Sequence, residues 1–106
     1  DLIAKGSNPE QAIQMVTKGR QFIDYRQLSV IDIKGRSASF TGSETLGTNA
    51  VVRGDGCIAA GNLLVSTEVP QSMVDSFSKH SNLHLAERLL LALQAGLDAG
   101  GEEGPV

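Results

Sequence analysis

The segment from Leu85 to Ala99 carries more leucine than a helix on a protein surface normally does. It reads LAERLLLALQAGLDA, and Glu87 and Arg88 are its only charges before Asp98. A helix that is apolar around most of its circumference has to be buried. We therefore expect this helix to pack against a β-sheet. Either both Glu87 and Arg88 emerge at a solvated edge of this packed helix, or one of them braces a neighbouring loop.

The length of the chain and the character of its two ends bear on how that helix is covered. A domain of 106 residues buries only about 60–65% of its unfolded surface. The first residues, DLIAKG, are typical of the last turn of a helix that ends at Gly6, and residues 98–106 resemble a linker. We interpret residues 1–106 as part of a single domain whose upstream and downstream strands are missing, and expect those remaining segments of the same fold as its partner.

Composition excludes several classes of function. The formal net charge of -3 comes from scattered residues, so there is no basic patch for nucleic acid. A single cysteine excludes an internal disulfide, and Cys57, His80 and His84 cannot form a zinc cluster of recognised spacing. We expect no metal and no cofactor. The sequence also contains no membrane span and no signal peptide, so a cytoplasmic location is expected.

Local signals predict three helices, one β-hairpin and two further short extended segments. The residues before Pro9 provide a cap for a short helix that runs until Gly19. Residues 27–33 and 37–41 predict a hairpin around Gly35, with apolar side chains on both faces and hence a sheet covered on both sides. The remaining predictions are a short pairing run at residues 50–52, a turn at 53–56, a strand or extended segment at 57–64, a helix at 69–80 capped by Ser66 or Thr67, and the helix at 85–99 beginning at Asn82 or His84.

One polar residue interrupts the apolar segment at residues 57–64, which reads CIAAGNLL. Placing the amide of Asn62 in an apolar environment costs about 1–3 kcal/mol unless partners satisfy it. Asn62 therefore either completes a local turn or is held ready for another role. For Cys57 we expect a small buried apolar role, because no basic residue nearby in the sequence would lower the thiol pKa.

Three separated motifs resemble a known family. They are YRQLSVIDIKGRSASFTGS, AAGNLLVSTEV and LAERLLLALQAGLDAGGEEGP, and they follow one another in the family's order over almost the whole chain. The sequence is similar to a family of bacterial and archaeal proteins of unassigned function in the N-terminal-nucleophile hydrolase superfamily. The resemblance implies an α+β fold, a four-layer α/β/β/α sandwich in which two antiparallel sheets stack between helices.

The resemblance also implies where chemistry would lie. Asp1 is not Ser, Thr or Cys, so this chain does not supply the terminal nucleophile of that superfamily. Asn62 is suited to stabilise an oxyanion, with Gly61 allowing close backbone approach. Its alternatives are a left-handed turn residue or an amide that pins the following loop. Thr41 and Gly42 would line the same pocket through a hydroxyl and a free N–H, or else form an ordinary turn at the end of a strand.

Two functions remain open from the sequence. In the first, the protein hydrolyses a small amide with a nucleophile supplied by a segment outside this chain. In the second, it is a non-catalytic protein that keeps the fold as a scaffold or a pocket for a small ligand. A homodimer is a further implication of the resemblance.

Overall fold

The computed structural model describes residues 2–104 and shows a mixed α/β fold with two small antiparallel sheets and three α-helices. In chain order the elements are the helix α1 (Pro9–Thr17), the strands β1 (Gln27–Ile31), β2 (Ser37–Thr41), β3 (Ala50–Gly54) and β4 (Cys57–Gly61), and the helices α2 (Glu68–Lys79) and α3 (Leu85–Asp98). A short 3-10 helix at Ile23–Tyr25 precedes β1. All three predicted helices and the predicted hairpin are therefore present, and the segments predicted at 50–52 and 57–64 form a second hairpin.

The helix α1 begins as its sequence predicts and ends two residues before Gly19. Asn8 is the N-cap: its side chain accepts a hydrogen bond from the Gln11 N–H at 2.8 Å, and the Gln11 side chain accepts one from the Asn8 N–H at 2.9 Å. This reciprocal pair satisfies two N–H groups that a helix start otherwise leaves unpaired. Ala12 and Ile13 are buried, and α1 packs on β1 and β2.

Each sheet is a single hairpin. Gln27 pairs with Thr41 and Ile31 with Ser37 in the first, while Ala50 pairs with Gly61 in the second. The strand predicted to reach Ile33 ends at Ile31, because the next residue, Asp32, turns the chain. The two turns touch, since a Cβ added to Gly35 would lie 3.2 Å from the Gly56 Cα.

The first hairpin turn is organised around the carboxylate of Asp32. Oδ1 accepts hydrogen bonds from the N–H groups of Lys34 at 2.9 Å and Arg36 at 3.0 Å, and Oδ2 accepts one from the Arg36 Nε at 2.7 Å. Burial raises the pKa of Asp32, but these hydrogen bonds and the Arg36 charge outweigh it and hold the pKa below 3.8.

We expect the stability of this turn to be lost in acid. A carboxyl group whose pKa is lower in the folded protein stabilises the fold at pH values above its unfolded pKa, near 3.8, and this contribution disappears as the pH falls through the folded value. Asp32→Asn should therefore flatten the acid limb of a plot of Tm against pH, compared with Glu10→Gln as the control. An unchanged acid limb in Asp32→Asn would contradict the assignment.

The second half of the chain packs around α2. Val74 and Phe77 of α2 are buried, and α2 packs on β3 and β4. The helix α3 packs mainly on α2, where Ala92 and Gly96 are buried against it. None of the helices between residues 2 and 104 has the length and hydropathy that crossing a bilayer requires.

The sequence predicts that α3 and the first sheet are buried, but the described residues do not cover them. Ile33 is 100% exposed and Ile31 is 44% exposed, so one side of the first hairpin is open. Five leucines of α3 are each at least half exposed: Leu85, Leu89, Leu90, Leu93 and Leu97. Within residues 2–104, α3 lies beside a helix and not over a sheet.

Candidate functional site

The side chain of Gln27 joins the ends of the two hairpins. Its Nε2 donates to the Thr41 Oγ1 at 3.4 Å and to the Gly61 carbonyl at 3.2 Å. Because the Thr41 hydroxyl accepts from Gln27, its own proton is free to be donated elsewhere. Thr41 and Gly61, which are 20 positions apart in the sequence, therefore lie around one amide nitrogen.

Gly42 has a structural role next to this cluster. Its N–H donates to the Arg26 carbonyl at 2.8 Å, so the expectation of a free N–H at Gly42 is wrong. A Cβ at this position would overlap the backbone of Asp24, whose Cα would lie 2.6 Å away. Gly42 thus lets the 3-10 helix that precedes β1 rest on the end of β2.

The segment after β4 is held in a strained conformation. Leu63 has a φ of 52°, in the left-handed region that costs a residue with a Cβ about 1–2 kcal/mol. Backbone hydrogen bonds fix it from both sides: the Leu63 N–H donates to Leu46, the Leu64 N–H donates to Thr48, and the Leu63 carbonyl accepts from the Glu103 N–H at 2.7 Å. Strain that is imposed by its surroundings in this way is typical of functional segments.

Because these backbone hydrogen bonds already hold the turn and the loop, the side chain of Asn62 is not needed to stabilise either of them among the described residues. The left-handed residue of the turn is Leu63, not Asn62. The loop that follows is pinned by its own backbone N–H groups, so the amide is not needed for that either. Asn62 is half-buried, and no hydrogen bond joins its side chain to any residue between 2 and 104.

The predicted site residues are brought together in part. Thr41 and Gly61 meet at the Gln27 amide, Gly42 follows Thr41, and Asn62 follows Gly61. Sequence reasoning missed Gln27, although its position opposite Thr41 in the hairpin would have placed it there. The groups that meet there are the Gln27 amide, the Thr41 hydroxyl and the Gly61 carbonyl, all neutral hydrogen-bonding groups, and Asn62 adjoins them through the chain.

Comparison with known protein families identifies the family of this chain. The model of a family of unknown function, DUF1028, matches residues 1–106. The chain belongs to DUF1028. No curated protein matches it.

A solved DUF1028 protein has the same fold. The crystal structure of protein SPO2555 from Silicibacter pomeroyi is 38% identical in sequence, with a TM-score of 0.87 over 93% of this chain. The match covers 45% of the SPO2555 chain, so this chain spans less than half the length of its DUF1028 neighbour.

Proposed function

We propose that this DUF1028 chain supplies the oxyanion-binding part of an amide hydrolase of the N-terminal-nucleophile type, with Asn62 as the donor. In this proposal the fold belongs to a four-layer α/β/β/α sandwich. A nucleophile from a segment outside the chain attacks the carbonyl carbon of a small amide. The Asn62 Nδ2 donates a hydrogen bond to the oxygen that becomes negatively charged.

The observation that carries this proposal is that the Asn62 amide has no hydrogen-bond partner among residues 2–104 and lies on a fixed backbone. An oxyanion donor needs less reorganisation during the reaction when the backbone that carries it is already fixed. The hydrogen bonds that hold Leu63 and Leu64 fix the chain directly after Asn62. The half-buried amide has lost part of its contact with water. A hydrogen bond to a charged acceptor therefore stabilises it more than a hydrogen bond to a neutral one.

The neighbouring groups fit a small polar substrate. The Thr41 hydroxyl can donate its proton to a substrate oxygen while it accepts from Gln27. Thr41, Gly61 and Asn62 would then contact the polar atoms around the scissile bond. Gly42 acts through the backbone that it shapes, since its N–H is occupied.

The test is hydrolysis of a panel of small N-acyl amides by the complete protein and by its Asn62→Ala variant. Loss of one oxyanion donor lowers kcat by about 100- to 1,000-fold. We expect Asn62→Ala to show this loss of kcat while its Tm stays close to that of the parent, because the amide has no hydrogen-bond partner among residues 2–104. Asn49→Ala, at an exposed asparagine, is the matched control and should retain activity.

Two further results bear on the proposal. Sequencing of the mature N-terminus should show Ser, Thr or Cys with a free amine. Equal activity in Asn62→Ala and Asn49→Ala would contradict the role of Asn62.

A second candidate is a non-catalytic protein that binds a small polar ligand or serves as a scaffold. The side chains named for the site favour it, because Gln27, Thr41 and Asn62 are neutral hydrogen-bonding groups and none of the three is a general acid or base. This candidate predicts that small amides raise the Tm of the parent without being hydrolysed, and that Asn62→Ala abolishes the shift. A retained methionine or an extended leader at the N-terminus would support it.

A further inference from the structure

Gln27 and Thr41 face each other across the first hairpin. The two residues are directly opposed in the antiparallel register, so their side chains lie on the same face of the sheet. The Gln27 Nε2 lies 3.4 Å from the Thr41 Oγ1 and 3.2 Å from the carbonyl oxygen of Gly61. One amide nitrogen therefore serves two acceptors, and these acceptors belong to different hairpins.

The Gly61 carbonyl decides which end of the Gln27 amide points at this cluster. The nitrogen and the oxygen of a glutamine amide have nearly the same shape, and the groups around them determine which is which. A backbone carbonyl only accepts hydrogen bonds, so the atom beside it must be Nε2, which donates. The Thr41 hydroxyl shares the same nitrogen, and its oxygen is therefore the acceptor in this pair.

This pairing fixes the direction of the Thr41 hydroxyl proton. The two heavy atoms on the Cβ of a threonine restrict its χ1 angle, so the oxygen is held in place and only the proton rotates. Since Nε2 occupies one side of the oxygen, the proton points away from Gln27. It meets no hydrogen-bond acceptor between residues 2 and 104, and Thr41 is half-buried. The hydroxyl thus presents a donor to a molecule that lies beside it.

The charge of the surroundings restricts which acceptor fits this donor. Arg26 is the neighbour of Gln27 in the chain, but it lines a separate groove together with Leu28. Successive side chains of an extended backbone point to opposite faces, so Gln27 lies on the other side of the strand. A carboxylate beside Thr41 would lose water without a cation among these residues to compensate. An ammonium group would meet a proton. An uncharged carbonyl oxygen fits.

We propose that Gln27 determines the ligand specificity of this site. By donating to Thr41, Gln27 makes the hydroxyl a hydrogen-bond donor, and the site thereby selects a carboxamide over an amine or a carboxylate. This inference rests on the proposed function, in which Thr41 contacts the substrate, and it holds for an amide that is hydrolysed and for one that is only bound. Gln27 acts through Thr41 and is a positioning residue.

The test is the affinity of the complete protein for three ligands of similar length: butyramide, butyrate and butylamine. Dissociation constants are measured by NMR titration before any hydrolysis. We expect butyramide to bind at least about 10-fold more tightly than the other two. Gln27→Met keeps the length of the side chain and removes the donor, so it should weaken butyramide binding by about 3- to 10-fold, the range of one neutral hydrogen bond. Gln14→Met, at an exposed glutamine, is the control and should leave the affinity unchanged.

A double variant separates positioning from a general loss of structure. Thr41→Val keeps the shape of the side chain without the hydroxyl. If Gln27 acts through that hydroxyl, Gln27→Met should weaken butyramide binding no further in the Thr41→Val protein. Losses that add in the double variant would overturn the proposal. It would be overturned as well if the parent binds butyrate or butylamine more tightly than butyramide, or binds none of the three.

Gln27→Glu gives an independent measurement in a side chain of nearly the same size. A carboxylate only accepts hydrogen bonds, so the Thr41 hydroxyl should turn toward it and present a lone pair to the ligand. We expect the affinity for butyramide to fall at about pH 7 and to recover in part as the pH approaches about 4.3, where a glutamate gains a proton that it can donate. The parent should show no such recovery, and a loss in Gln27→Glu that does not vary with pH would contradict the role of Gln27.

These results can be distinguished from a failure of the role proposed for Asn62. If Asn62→Ala retains full hydrolytic activity while Gln27 and Thr41 are coupled in butyramide binding, the oxyanion role fails and the specificity role of Gln27 stands. If Asn62→Ala loses activity while the losses at Gln27 and Thr41 add, only the role of Gln27 fails.

Discussion

Gly42→Ala should destabilise the protein by about 3 kcal/mol, at the upper end of the cost of overpacking. The added Cβ overlaps the carbonyl group of Asp24, which is backbone and cannot move as a side chain would. Relief requires residues 24–26 to separate from the end of β2. That movement breaks the hydrogen bonds from Gly42 to Arg26 and from Glu44 to Asp24, both 2.8 Å long. The measurement is the free energy of unfolding from urea denaturation.

Gly96→Ala is the matched control, because its Cβ also lacks space but meets a different kind of neighbour. The nearest atoms are the Met73 Cγ at 2.9 Å and Sδ at 3.0 Å, which belong to a flexible side chain. Alanine in a helix also gains roughly 0.5–1 kcal/mol over glycine. We expect a net change of less than about 1 kcal/mol, and equal losses in the two variants would contradict our account of Gly42.

Elements with local signals could be predicted from the sequence to within two residues at most boundaries. Asn8 and Pro9 fix the start of α1, and glycine at positions 35 and 56 permits the hairpin turns with φ of 78° and 66°. These signals act within a few residues of the chain. The 3-10 helix at Ile23–Tyr25 has no such pattern, and it was missed.

The contacts that define the candidate site depend on tertiary structure. Gln27 reaches Gly61 across 34 positions, and no local pattern indicates that pairing. The left-handed turn falls on Leu63, where an asparagine or glycine would be expected, because hydrogen bonds from distant segments impose it. The sequence therefore drew attention to Asn62 for its polarity, whereas its availability depends on bonds made by its neighbours.

The position of Arg88 also depends on tertiary structure that the sequence alone does not reveal. The sequence predicts either that Glu87 and Arg88 both lie at a solvated edge or that one of them braces a loop. Arg88 is half-buried and braces a helix: its Nε and Nη2 donate to the Phe77 carbonyl at 3.3 and 2.9 Å. Phe77 lies in the last turn of α2, where carbonyl groups lack partners within the helix.

Arg88→Ala should cost about 2–5 kcal/mol of unfolding free energy. The guanidinium lies 3.6 Å from the centre of the Phe77 ring, so the variant loses a cation–π contact worth roughly 0.5–2 kcal/mol. It also leaves the Phe77 carbonyl without its charged donor, at a further cost of roughly 1.5–3 kcal/mol. Urea denaturation measures the sum.

Two variants separate the shape of the side chain from its charge. Arg88→Lys keeps the charge but loses the planar fork that donates twice to one carbonyl while stacking on the ring, so it should recover less than half of the loss. Glu87→Ala changes the exposed neighbour and should alter stability by at most about 0.5 kcal/mol. Full recovery by lysine would mean that charge alone holds α3 on α2. A loss in Arg88→Ala no larger than in Glu87→Ala would mean that Ala92 and Gly96 suffice to hold the two helices together.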